Sequence, residues 1–259
     1  MKRWLWMILS FSLRVYADEF VCDDLSVLNL ADRPTFAYGA CIVPKSSSML
    51  EYGAKHFKLL GGGETNYLPD AEYRLGLGWH TELDVNPPNY FSQSLDPKAG
   101  FGYVSAGLKS LIYDNGAFVL SVEGFVIPPS GHSYFGSPAF QGGANIITQY
   151  NFSSKWSLAM VLGMASYGQR NEIEFENYKT FSPDVALSYM LTDQLVLYGE
   201  FFGQSHSGLN KGLGVIFDTG LIYQLFSWAT VDIEFGQRVV GELNNAAHYI
   251  GVGSALMFD

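Results

Sequence analysis

The chain has 259 residues, of which 48% are hydrophobic and 15% are charged, and its formal net charge is −10. Such an apolar composition excludes a disordered chain, and the charged fraction is well below the about 25% typical of soluble domains. An acidic balance argues against nucleic acid as a partner, because binding it requires a basic surface.

The first 17 residues have the pattern of a secretory signal peptide. Lys2 and Arg3 precede an apolar run over 4–13, and residues 15–17 (Val-Tyr-Ala) supply the site that a signal peptidase reads. No later apolar run reaches the about 20 residues that a spanning helix needs, because Gly, Asp, Glu or Asn interrupts each one. The chain is therefore predicted to be exported after removal of residues 1–17, without a helical anchor.

Two cysteines, Cys22 and Cys41, lie 19 positions apart near the start of the mature chain. Disulfides persist where exported proteins mature, so we expect these two to be bonded to each other in a periplasmic N-terminal segment over 18–48. Two unpaired buried thiols are the alternative. A zinc site is a poorer one, because no histidine or further cysteine lies nearby, and we expect no bound metal.

From Met49 onward the dominant hydrophobic period is two, which is typical of strands with unlike faces. Short polar sequences that are typical of tight turns recur at Gly78, Asn115, Ser153, Asp193 and Ser227. The intervals between them are 37, 38, 40 and 34 residues, which suits two strands plus one long loop. Five such turns join ten strands, and one more strand at each end completes an even set. The chain is therefore predicted to be all-β, with 49–259 forming a transmembrane antiparallel β-barrel of twelve strands, short periplasmic turns and long extracellular loops.

The predicted strands cover most of the region after residue 48. They lie over 49–58, 69–77, 79–87, 101–113, 117–127, 138–150, 155–167, 184–191, 194–203, 214–225, 229–238 and 247–258. The predicted long loops lie over 59–68, 88–100, 128–137, 168–183, 204–213 and 239–246. A soluble β-sandwich is the structural alternative, but it would have shorter and more even strands.

Aromatic residues mark the membrane level at the short turns and the C-terminus. Trp79, Trp156 and Trp228 all fall within two positions of a short turn, where an aromatic girdle at the headgroup level is expected. The last strand ends in Phe258, which resembles the aromatic-ended sorting signal of outer-membrane barrels. We therefore expect outer-membrane lipid and the barrel-assembly machinery as partners, and the bacterial outer membrane as the location.

Charged residues occupy the strand face opposite the apolar one, so they are predicted to point into the lumen. The candidates are Glu72, Arg74, Glu82, Asp84, Lys109, Glu123, Glu200, Asp232 and Glu234, with Glu51 and Lys55 on the first strand. They could line a cation-leaning path for small solutes. Alternatively, Arg74 and Lys109 pair with the acids and fill the bore, because buried charges must be paired where water is scarce.

Two histidine–serine steps, His132-Ser133 and His206-Ser207, place a base beside a hydroxyl. Adjacent residues on a strand point to opposite faces, and a catalytic triad needs spatial adjacency. The five histidines show no metal-binding spacing either. We therefore predict that the protein is not an enzyme, with no catalytic residues and no cofactor.

The run Glu72–Leu83 (EYRLGLGWHTEL), the Gly100–Gly102 step that leads to Gly107–Lys109, and Pro128–Gly131 together resemble the MetA-pathway of phenol degradation family. The resemblance runs over most of the mature chain. It implies an outer-membrane transporter barrel, and it brings no established catalytic set.

These observations predict an outer-membrane channel or facilitator for small solutes, hydrophobic or aromatic ones included. The alternative is a non-conducting structural or surface-interaction barrel that acts through its long extracellular loops. Conductance separates the two hypotheses.

Overall fold

A computed structural model describes Cys22 and residues 26–170, 175–243 and 245–259. The predicted signal peptide, 1–17, lies outside the described residues. Within the part of the chain that is described, no helix has the length and apolar character needed to cross a membrane.

The described residues form one short helix and fourteen strands. These are α1 (Val27–Leu30), β1 (Ser48–Leu59), β2 (Glu64–Gly78), β3 (Thr81–Asn86), β4 (Tyr90–Gln93), β5 (Ala99–Phe101), β6 (Ser105–Asp114), β7 (Phe118–Ile127), β8 (Gln141–Asn151), β9 (Trp156–Arg170), β10 (Phe175–Thr192), β11 (Leu195–Gln204), β12 (Gly214–Phe226), β13 (Ala229–Val240) and β14 (Ala246–Phe258).

Twelve of these strands form a closed antiparallel barrel, which confirms the predicted fold class. Each strand from β6 to β14 pairs with the next, β3 joins β2 to β6, and β1 pairs with both β2 and β14 to close the cylinder. At the seam Ser48 faces Phe258, so the barrel begins and ends at the same rim.

The two faces of the wall differ in polarity because each strand alternates. On β13, Ile233 and Phe235 are each 46% exposed on the outer side, whereas Asp232 and Glu234 are buried. An apolar exterior around a charged interior is the reverse of a soluble protein and is the arrangement that lipid requires.

The five short turns lie at the rim where β1 begins. Between β2 and β3, Trp79 and His80 both have positive φ (50° and 57°), as a two-residue type I′ turn requires. Between β6 and β7, the Asn115 side chain accepts hydrogen bonds from the backbone N–H groups of Ala117 and Phe118. The local sequence therefore fixes these turns.

Three predicted long loops are wrong in their extent. β2 already begins at Glu64 inside the predicted loop 59–68, and most of the predicted loop 168–183 belongs to β9 and β10. The predicted loop 88–100 also contains β4 and β5, which extend the sheet beside the far end of β2. Strand ends that project beyond the lipid meet water on both faces, so they lose the alternation on which the prediction depended.

Residues 26–47, the inner segment, lie inside the barrel. Val27, Ala40 and Val43 are fully buried, and Ser121 on β7 donates a hydrogen bond to the carbonyl of Ala40. The segment enters and leaves at the short-turn rim, where the backbone N–H of Ser46 bonds to Gly76. The domain boundaries at 17 and 48 stay predictions, and the structure adds that this stretch packs against the inner wall.

Candidate functional site

The barrel interior collects the charged residues singled out in the sequence. Arg74, Glu82, Asp84, Lys109, Glu200, Asp232 and Glu234 are buried on the inner side of the wall, and Glu72 and Glu123 are half-buried. Glu51 and Lys55 on β1 are buried beside them. The interior is therefore filled by side chains around the inner segment.

Arg74 on β2 is the centre of one ionic network. Its guanidinium lies 2.8 Å from Glu82, 3.0 Å from Glu51 and 3.1 Å from Asp32 of the inner segment. Lys109 on β6 reaches the same Glu82 and Asp32, at 3.1 and 3.3 Å. Pairing of Arg74 with acids of the interior is one of the two alternatives that the sequence offered, but the sequence did not indicate that Asp32 joins the network.

Three glutamates of the wall also hold the inner segment through its backbone. Glu51 accepts the N–H groups of Asp32 and Arg33, at 3.1 and 2.8 Å. Glu200 on β11 accepts those of Phe36 and Ala37.

The third glutamate is Glu82, which accepts the N–H of Val43. Glu82 and Glu51 also pair with Arg74, and hydrogen bonds to ionised acceptors are about twice as strong as neutral ones. The segment is therefore fastened to three separate strands rather than loosely enclosed.

Asp184 on β10 and Asp218 on β12 are buried acids of the interior that the sequence analysis missed. Glu200 lies between them, on β11. Among the described side chains, no lysine or arginine forms an ion pair with any of these three acids. Asp218 shares its parity with Ile216 and Ile222, opposite the outward row that includes Leu221. That alternation could have placed it in the lumen.

A cavity of about 540 Å³ lies between the inner segment and the long-loop end. Its lining includes Arg33 and Phe36 of the segment, Asp70 on β2, and Tyr103 beyond β5. The lining combines aromatic rings with charged groups of both signs, which suits an amphipathic solute.

Aromatic rings form a continuous ladder, of which Tyr67 and Phe91 line this cavity. Tyr134, 61% exposed in the loop after β7, contacts Phe135, which stacks on Phe91 with 5.1 Å between ring centroids. Phe91 contacts Tyr67 at 4.4 Å, and Phe57 follows at 4.6 Å. The ladder ends at buried Tyr249, 5.0 Å from Phe57. It thus runs from the loop surface to the inner segment.

One set of carboxylates approaches the arrangement of a metal site. Oxygens of Asp32, Glu51 and Glu72 lie within 4.8 Å of one another. However, Arg74 contacts the first two acids and Glu51 also accepts two backbone N–H groups. Their charge is thus balanced by the protein itself, and an ion-pair network is the simpler account.

The remaining predicted residues lie near the short-turn rim. Trp79, Trp156 and Trp228 are 96%, 43% and 51% exposed there. Cys22 and Cys41 are joined by a disulfide with 5.2 Å between their Cα atoms. The disulfide closes the inner segment at the rim where the segment enters and leaves the barrel.

The two histidine–serine steps lie near the other end of the molecule. The Nδ1 atom of His132 lies 3.2 Å from the backbone N–H of Tyr134, which donates to it, and the His206 ring lies 3.3 Å from the Ser205 hydroxyl. The imidazole rings of both histidines therefore form these hydrogen bonds within their own loops.

The closed twelve-stranded barrel, with an apolar exterior and a charged interior, defines a porin-like β-barrel protein. The family of MetA-pathway of phenol degradation matches residues 31–251, and the chain belongs to this family. A search of curated protein sequences returned no match.

Two solved porins share the fold. The NanC porin is similar with a TM-score of 0.56 and 9% identity, covering 81% of this chain and 98% of its own. The KdgM porin is similar with a TM-score of 0.54 and 10% identity, covering 82% of this chain and 99% of its own. At these identities the likeness concerns the fold alone.

Proposed function

We propose that this protein is an outer-membrane channel or facilitator that admits small solutes from its long-loop side and that the inner segment closes it in the conformation described. The observation that carries the proposal is the cavity of about 540 Å³ above the segment, inside a barrel with a lipid-compatible exterior. A cavity at the mouth of a barrel is where ligand sites are commonly found.

The solute class follows from the lining. Tyr67 and Phe91, the two ladder rings that line the cavity, offer aromatic surface to a flat apolar group. The acids of the interior outnumber its bases, which disfavours anions. We therefore propose small neutral or cationic solutes with an aromatic or other hydrophobic face, which agrees with the family's association with phenol degradation.

The orientation proposed from the sequence is compatible with this path. The short-turn rim, with Trp79, Trp156 and Trp228, would face the periplasm, and the cavity would face the medium. Phe258, at the end of β14, would be read by the assembly machinery. We propose no catalytic role.

The filled bore favours one alternative, a non-conducting barrel that acts through its loops. Single-channel recording in planar bilayers separates the two. The wild type should open rarely, and Glu51→Gln/Glu200→Gln, which weakens two anchors of the segment, should open often and select for cations.

Glu242→Gln is the matched control, because Glu242 pairs with Lys211 on the exposed surface. It should behave like the wild type. A folded double variant without conductance would contradict the channel and support the alternative.

A further inference from the structure

Arg33 lies at the inner turn, the part of the inner segment that is farthest from the short-turn rim. Its guanidinium occupies a slot that is bounded on one side by two glycines of the wall. Gly53 on β1 and Gly253 on β14 face each other in register. A Cβ at Gly253 would lie 2.4 Å from both Nε and Nη2 of Arg33, and one at Gly53 would lie 2.4 Å from Nη2. Any larger residue at Gly253 would therefore exclude a guanidinium from this place.

Three acids from two other strands form the sides of the slot. Asp232 accepts from Nε and Nη2 of Arg33 with its two oxygens, at 3.4 and 3.3 Å, in the forked geometry that suits a planar guanidinium. Asp70 lies 3.2 Å from Nη1, and Glu234 lies 3.8 Å from Nη2. The guanidinium slot is formed by five residues, namely Gly53, Gly253, Asp70, Asp232 and Glu234.

The wall, not the inner segment, supplies all of the slot. Lys55, 3.1 Å from Glu234 and 3.7 Å from Asp70, is the second cation beside it. Without Arg33, three carboxylates would face one ammonium group at low dielectric, which is costly. The wall therefore keeps the slot when Arg33 leaves, and the excess of negative charge there favours another cation or a bound proton.

The position of the slot connects it to the solute path. Arg33, Asp70 and Lys55 all line the cavity, together with Tyr67 and Phe91 of the aromatic ladder. Arg33 and Asp70 therefore lie in the same cavity as two rings of the ladder, so one solute can contact both.

We infer that the guanidinium slot is a binding site for a planar cationic group, a guanidinium or amidinium, of the solute, and that Arg33 occupies it as an internal competitor. This rests on the proposed channel function. Displacement of Arg33 removes the ion pairs that fix the inner turn of the segment and so favours its withdrawal. Because Arg33 is tethered at an effective concentration on the order of millimolar, a solute must add contacts of its own, and the aromatic ladder provides them.

Calorimetric titration of the refolded full chain with ethylguanidinium chloride tests the site. Arg33→Ala should bind ethylguanidinium saturably, and the wild type should bind it about tenfold or more weakly, because the tethered side chain competes. Urea, planar but neutral, and sodium chloride should give no saturable heat. Adding Gly253→Val to Arg33→Ala should abolish binding. The control is Lys45→Ala, which removes an exposed cation of the inner segment and should match the wild type.

Equal binding by Arg33→Ala and the wild type, or binding that survives Gly253→Val, would overturn the inference. If Arg33→Ala does not fold, hydrogen exchange on the wild type decides. Ethylguanidinium should then speed exchange in residues 32–38 and urea at equal concentration should not, and no difference between them would overturn the inference.

Conductance distinguishes this inference from the function on which it rests. Binding to Arg33→Ala without any conductance would mean that the slot exists in a closed barrel. Conductance without binding would mean that the channel is right and the slot is wrong.

Discussion

Glu200 on β11 accepts a hydrogen bond from the backbone N–H of Phe36 at 3.0 Å, across 164 positions of sequence. The same carboxyl group accepts the N–H of Ala37. One buried side chain of the wall therefore holds the inner turn of the segment that fills the barrel.

Replacing this anchor should loosen the inner segment without opening the wall. Glu200→Gln keeps the shape but replaces one of the two accepting oxygens with an NH2 group, which cannot accept, so one backbone N–H loses its partner, a loss on the order of 1.5 kcal/mol. Hydrogen exchange of residues 34–39 should become about tenfold faster, while exchange in the strands stays unchanged. Glu64→Gln, at an exposed ion pair with Lys58, is the control, and equal exchange in both variants would contradict the anchor.

Removing Arg74 should destabilise the protein strongly. Arg74→Ala leaves Glu51 without a cation and leaves Asp32 and Glu82 with Lys109 alone, and breaking a buried pair in this way costs about 3–5 kcal/mol. A denaturant titration followed by the gel shift of unboiled protein measures it. Arg238→Ala, at the exposed surface, should cost less than about 0.5 kcal/mol, and a similar value for Arg74→Ala would show that the network does not support the fold.

Removing the disulfide should affect the inner segment and spare the barrel, because both cysteines precede β1. In the chain-entropy model, a closed loop of this size contributes about 3 kcal/mol. Cys22→Ser/Cys41→Ser should therefore fold into a barrel whose residues 26–43 exchange faster. Mass spectrometry of the unreduced wild type gives the complementary check, since two alkylatable thiols after denaturation would contradict the bond.

Interrupting the aromatic ladder should weaken solute binding. Phe91 contacts both Tyr67 and Phe135, and ring contacts contribute about 0.5–1.5 kcal/mol each beyond burial. Phe91→Ala should thus reduce the affinity for a small aromatic solute several-fold in titrations. Phe140→Ala, an exposed ring outside the ladder, should leave the affinity unchanged, and an equal loss in both variants would exclude the ladder as the path.

The sequence by itself determined the wall. Alternation with a period of two separates Ile233 and Phe235 from Asp232 and Glu234. Such alternation is local, so strand number and turn positions could be predicted, and so could the inward side of charges such as Asp232 and Glu234. The strands beyond the lipid could not, since water on both faces leaves no alternation to detect.

Only the tertiary structure decided what fills the barrel. The segment with Asp32 and Arg33 has no strong periodicity, and its partners Arg74, Glu200 and Asp232 lie on strands that are far apart in the chain. No local pattern specifies which inward acid meets which backbone N–H, because that depends on the curvature and registers of the closed wall. The same holds for Gly53 and Gly253, which resemble any strand glycines until the seam between β1 and β14 brings them together beneath one guanidinium.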